Sequence, residues 1–189
     1  MRSTPIIAAI SMGLALAACS KKSETTTETT VNSDMNASMG NNTASMTPMP
    51  AQQFTDTVAG SDMFEIQSGK LAETMGSTPA IKAFGKTLVT DHTKSTAMFK
   101  AAAGKTSPTV ALPMLLPADL KAKIATLKAT KGAAFDKLFV EQQIEGHQKA
   151  VDALTSYAAG GDQPALKEFA TAVVPTVQAH LTALQAMPK

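Results

Sequence analysis

The sequence predicts an all-α protein: four long amphipathic helices packed as a bundle, with one shorter helix in the connection between the second and the third. Three observations carry this. Apolar residues recur at offsets of three, four and seven over most of the chain from Ala51 onward, and no stretch alternates with a period of two. Two tight breaks, Gly76-Ser77-Thr78-Pro79 and Gly160-Gly161-Asp162-Gln163-Pro164, each join two such stretches into a helical hairpin. A long connection carrying Pro108, Pro113 and Pro117 separates the hairpins, and two hairpins joined this way form a four-helix bundle of the ferritin-like kind.

The amino terminus comes first. Residues Met1 to Ala18 hold one early positive charge, Arg2, and then an apolar run from Ile6 to Ala18. That run is short for a membrane span and suits a signal-peptide core. It closes on Leu16-Ala17-Ala18-Cys19, which resembles the bacterial lipoprotein signature. The resemblance implies cleavage before Cys19 and lipidation of that residue, which has no second cysteine to pair with. Ser20 follows, where an aspartate would resemble an inner-membrane retention signal, so the expected partner is the outer membrane, with the protein on its periplasmic face. Residues 19–50 are then a low-complexity polar tether, too poor in apolar side chains to offset the entropy of ordering, with a reach of about 30 Å. Met35, Met39, Met46 and Met49 lie in it. Thioethers suit Cu(I), but only Met46 and Met49 are tightly spaced and no histidine is near, so a polar tract that tolerates methionine is the preferred reading.

The folded part is expected over residues 51–188. A first helix from Ala51 to Met75 carries Phe54, Val58, Glu65, Gly69 and Ala72 on one stripe, with Met63 and Ile66 alongside. Gly76 ends it, and Thr78-Pro79 starts a second helix to Ala103 with Ile81, Phe84, Leu88, His92 and Phe99 in phase. Ala118 to Thr130 is the short helix (Leu120, Ile124, Leu127), and Lys131-Gly132 is a break. The third long helix, Ala133 to Ala159, places His147 among Asp136, Phe139, Val140, Ile144, Val151 and Leu154. Asp162 is a candidate cap for the last helix, Pro164 to Met187, with Leu166, Phe169, Val173, Val177, His180 and Leu184 in phase and Pro175 expected to bend it.

All three histidines and one glutamate thus sit on apolar stripes. Glu65, His92, His147 and His180 also lie near the midpoints of their helices, so whichever way each helix runs they converge at similar depth. A buried carboxylate without a partner is costly, and two solutions stay open. One is a hydrogen-bonded cluster, completed by hydroxyls such as Thr176 or by water. The other is one divalent metal (Zn, Fe, Mn or Cu) held by Glu65, His92, His147 and His180. Asp91 and Asp136 are candidate supporting residues, although Asp136 lies about 16 Å along the helix from His147, and Asp62 is one turn from Glu65. The paired Glu-x-x-His of di-iron carboxylate bundles is absent, Val89 and Val177 standing three before His92 and His180. No catalytic triad or phosphate loop is present, and a net charge of +2 without a basic run points away from nucleic acid.

The segments FEIQSGKLA (Phe64 to Ala72), IKAFGKTLVTDHTK (Ile81 to Lys94), FDKLFVEQQIEGHQKAV (Phe135 to Val151) and LKEFATAVVPTVQAHL (Leu166 to Leu181) resemble a bacterial family known as domain of unknown function 4142. The resemblance implies a ferritin-like bundle and puts Glu65, His92, His147 and His180 on the family's recurring polar positions. It implies no defined activity. The expected function is therefore an anchored periplasmic lipoprotein whose bundle binds a metal ion or small ligand, in envelope stress or metal handling. The alternative is a structural or interaction module with a buried Glu/His network. An enzyme using bound iron or manganese against peroxide is a third reading.

Overall fold

The computed structural model describes residues 49–187, and these form five helices with no strand among them. The helices are α1 (Ala51–Met75), α2 (Pro79–Ala103), α3 (Ala118–Ala129), α4 (Gly132–Gly160) and α5 (Pro164–Gln185). This is the all-α bundle with a short helix in its long connection that the sequence predicts. The signal peptide, Cys19 and the methionines up to Met46 lie outside the described residues. Met49, expected in the tether, is partly buried against the core instead.

Local chemistry accounts for most boundaries. The Thr78 hydroxyl caps α2 by accepting from the Ile81 amide, with Pro79 at the first helical position. Pro164 starts α5 in the same way, but no side chain caps that helix. Asp162 is engaged elsewhere, accepting the Tyr157 hydroxyl at 2.7 Å. The Lys131-Gly132 break is made by Gly132, whose φ of +60° is a left-handed conformation that glycine takes without strain, and α4 starts there, one residue before Ala133.

Two apolar clusters show how the helices run. One joins the start of α1 (Phe54, Val58), the end of α2 (Phe99, Ala103), the end of α4 (Leu154, Tyr157) and the start of α5 (Leu166, Phe169, Val173). The other joins the end of α1 (Ala72), the start of α2 (Ile81, Phe84, Leu88), α3 (Ile124, Leu127), the start of α4 (Phe135, Phe139) and Leu184 of α5. Hence α1 and α5 point one way, and α2 and α4 the other. The segment between α2 and α4, including α3, returns the chain from the first pole to the second. Polar ties fasten both poles: Gln52 bonds the backbone of Ala111 twice, Gln163 bonds that of Ser107 twice, and Asp136 accepts from Ser77 at 2.8 and 2.6 Å.

Within the first hairpin, α1 and α2 touch through glycine. A Cβ built on Gly69 would lie 2.8 Å from the Gly85 carbonyl oxygen, and one on Gly85 would lie 2.6 Å from that of Gly69. Aromatic packing consolidates the first pole, where Phe54 stacks on Tyr157 with centroids 3.8 Å apart and planes at 13°. Between the two apolar poles lies a polar layer.

Candidate metal centre

The layer contains Asp62, Glu65 and Ser68 of α1, His92 of α2, Gln143 and His147 of α4, and His180 of α5, all buried. Two helix-periodic facts put them there. Asp62 and Glu65 are three apart and so share a face of α1, and Gln143 is four before His147 on α4. The Asp62, Ser68 and Gln143 contributions are polar residues that the apolar stripes do not mark. The spacing of Asp62 to Glu65 and of Gln143 to His147 was the available signal.

Each imidazole commits one ring nitrogen to an acceptor. His92 Nδ1 donates to the Asp62 carboxylate at 2.8 Å, and the other Asp62 oxygen accepts from the Thr96 hydroxyl at 3.0 Å. His147 Nδ1 donates to the Gln143 carbonyl at 2.9 Å. His180 Nε2 donates to Asp91 at 3.0 Å. These acceptors leave His92 Nε2, His147 Nε2 and His180 Nδ1 as the ring nitrogens available to an ion, as lone pairs on the neutral rings of His147 and His180 and after loss of a proton on His92. One ring nitrogen from each histidine lies within 4.8 Å of the other two. His147 Nε2 and His180 Nδ1 are 3.4 Å apart, and His92 Nε2 is buried with no partner.

The four sequence-predicted ligands therefore divide. The three histidines come together, whereas Glu65 is not among the converging atoms. Its Oε1 stands 3.9 Å from His147 Nδ1, too far for a hydrogen bond, and its Oε2 is buried without a partner. Asp91 supports the cluster, but through His180 across the bundle rather than through its neighbour His92. Asp136 does not support it, because it is spent at the second pole on Ser77. Asp62 bonds His92 and not Glu65. No hydrogen bond joins Thr176 to a ring among the described residues.

Burial dominates the electrostatics. It pushes the Glu65 carboxyl up to about 7, with the His92 charge and the Gln143 amide opposing. It pushes His147 down to about 3, helped by the His92 charge. His180 also falls, burial outweighing its Asp91 bond. Burial disfavours charge on His92 as well, but the Asp62 hydrogen bond together with the Glu65, Asp62 and Asp91 charges raises it overall. The layer thus holds two histidines neutral and collects its positive charge beside Asp62.

An all-α bundle with a buried, inward-facing three-histidine cluster is the class that fold and site define. The family description Domain of unknown function (DUF4142) matches residues 35–187, and the chain belongs to that family. No curated protein and no solved structure matches the chain.

Proposed function

We propose that this protein binds one divalent transition-metal ion through His92, His147 and His180. The observation that carries the reading is the orientation of the three rings. Each donates its outer N–H to an acceptor (Asp62, the Gln143 carbonyl, Asp91), which leaves the other nitrogen of each ring for the cluster, where one nitrogen per histidine lies within 4.8 Å of the other two. Carboxylate or carbonyl partners on the far nitrogen are the usual support for metal-bound imidazoles. The facing lone pairs of His147 Nε2 and His180 Nδ1, 3.4 Å apart, repel one another unless a cation lies between them, and an ion held by all three rings takes the place of the His92 proton. Three imidazoles suit Zn, Cu or Fe better than Mn.

Metal analysis of protein purified without a histidine tag tests this. About one ion per chain is expected, lost in His147→Ala while far-UV circular dichroism stays helical. Substoichiometric metal after aerobic and anaerobic purification, unchanged by His147→Ala, would refute it.

A second reading has its own support. Ser68 and Gln143 bond at 2.9 Å and Asp62 ties His92 to Thr96, so a metal-free hydrogen-bonded layer that specifies how the hairpins dock is the rival, and the same metal analysis decides between them. The Leu16-Ala17-Ala18-Cys19 motif supports an outer-membrane, lipid-anchored location facing the periplasm, in which the bundle serves metal handling or envelope stress. Mass spectrometry of the mature chain tests the anchor: an unmodified Cys19 would sink it.

A further inference from the structure

Three nitrogens leave an ion of this kind one ligand short of the usual four. Glu65 is not among the converging atoms, its Oε1 standing 3.9 Å from His147 Nδ1, the nitrogen that the Gln143 carbonyl already engages. A cavity of about 520 Å³, which Glu65 also lines, reaches the cluster. His92 and His180 line it and His147 does not, so two rings border the cavity and the third closes the back. Its size falls within the range of small-molecule sites, roughly 300–1,000 Å³. Phe64, Leu154, Phe169, Val173 and Val177 give it an apolar wall.

We propose that the cavity admits an organic ligand with an apolar body whose neutral nitrogen donor, of the azole or pyridine type, completes the coordination of the ion. This deepens the metal reading and rests on it. Charge decides between a neutral and an anionic head group. The ion's two positive charges are already balanced by the carboxylates of Asp62 and Asp91, bonded to His92 and His180 at 2.8 and 3.0 Å, and Glu65 lines the same cavity. An anionic head would add unbalanced negative charge to a buried acidic layer, where its desolvation is not recovered. Of the three cavity lysines, Glu145 engages Lys123 (2.8 Å) and Lys149 (2.6 Å), and Lys94 is exposed, where solvent screens its charge. A neutral heteroaromatic nitrogen brings a lone pair without a charge, and its ring system packs against the apolar wall.

The experiment loads the untagged chain with Co(II) and follows its d–d absorption while adding 4-phenylimidazole, imidazole or phenylacetate. The expected result is that 4-phenylimidazole shifts the spectrum at a concentration at least tenfold below imidazole, and that phenylacetate has no effect at that concentration. Ala153→Trp, which fills the cavity from α4, should keep the Co(II) spectrum and the imidazole response while erasing the tenfold advantage. Val173→Trp, which fills it from α5, is the second variant should the first not fold. Equal responses to the two azoles, a stronger response to phenylacetate, or an advantage that survives filling would overturn the proposal and leave the metal site standing. Failure of the wild-type chain to bind Co(II), or Co(II) binding indifferent to His147→Ala, would instead refute the metal reading and remove the ligand with it.

Discussion

Replacing Gly85 with alanine should destabilise the protein, although alanine is the better helix former. The added Cβ would meet the Gly69 carbonyl oxygen at 2.6 Å, the Ala72 Cβ at 2.8 Å and the Glu73 amide nitrogen at 3.0 Å. Ordinary contact begins at 3.4 Å, so the closest approach is short by about 0.8 Å, and it is made against backbone that has no rotamer to escape into. Helices α1 and α2 must separate, and the 2.8 Å bond between Asp62 and His92 spans that same interface. Overpacking of this kind costs about 1–3 kcal/mol, and the gain in helix propensity returns up to about 1 kcal/mol. The net expectation is a loss of about 1–2 kcal/mol. Gly146 is the matched control: a Cβ there meets only Glu65 Oε1, at 3.5 Å. Gly146→Ala should therefore stabilise by up to about 1 kcal/mol. In urea, at about 2 kcal/mol/M, the midpoint should fall by about 0.5–1 M for Gly85→Ala and rise by up to about 0.5 M for Gly146→Ala. Both midpoints moving in the same direction would refute the close α1–α2 contact.

Three further outcomes follow from the same geometry. Asp62→Ala and Asp91→Ala should each weaken Zn(II) affinity about 10- to 100-fold, measured by competition with a chromophoric chelator, because each frees a ring that its carboxylate now orients. Unchanged affinity in both would remove their orienting role. Tyr157 should stay un-ionised in the native protein at about pH 10, where the unfolded chain is half ionised. Burial, reinforced by the bond to Asp162, raises its pKa, so the stability it adds is full below that pH and is lost as pH rises beyond it. It is the sole tyrosine and tryptophan is absent, so tyrosinate absorbance reports this one group, and coincident native and urea-unfolded titrations would refute the reasoning. Glu145→Gln should cost no more than about 1 kcal/mol at neutral pH, the carboxylate being half exposed. Lys123 and Lys149 hold that carboxyl down to about 2, so the contribution is present above the ordinary carboxylate value and disappears as pH falls toward 2. Thermal melts of both proteins across that range, and in 1 M salt where the difference should close, check it.

The helices were legible because glycine and proline punctuate them. Gly76, Pro79, Pro164 and the proline-rich connection mark positions where backbone geometry, not context, ends or starts a helix. The depth of the three histidines was legible too, since apolar periodicity and distance from a helix midpoint are properties of one helix at a time. What was hidden belongs to pairs of helices. Asp91 points about 100° away from His92 on its own helix, and only the placement of α5 beside α2 brings His180 within 3.0 Å of it. Asp62 and Gln143 look like surface residues by type. They are buried because His92 and Ser68 arrive opposite them from other helices. Glu65 shows the limit from the other side: the correct depth and face put it beside His147, but on the wrong side of the ring.

The division of the layer between the hairpins bears on what an ion there would do. Asp62, Glu65, Asp91 and His92 belong to the α1–α2 hairpin, while Gln143, His147 and His180 belong to α4–α5. Each hairpin is held internally, the first by its glycine contact and the second by its own apolar stripe, and both poles join the two hairpins through apolar packing. At mid-height two hydrogen bonds join the hairpins, Ser68 to Gln143 at 2.9 Å and Asp91 to His180 at 3.0 Å, and among the described residues the three-histidine cluster adds no bond between hairpins of its own. The apolar poles and these two bonds thus supply the cohesion between the hairpins. An ion bound by His92 from one side and by His147 and His180 from the other would add a further cross-link. By mass action it would add about 2.7 kcal/mol to stability at a concentration of one hundred times its dissociation constant. A residue set that only specified register would need no such convergence of ring nitrogens.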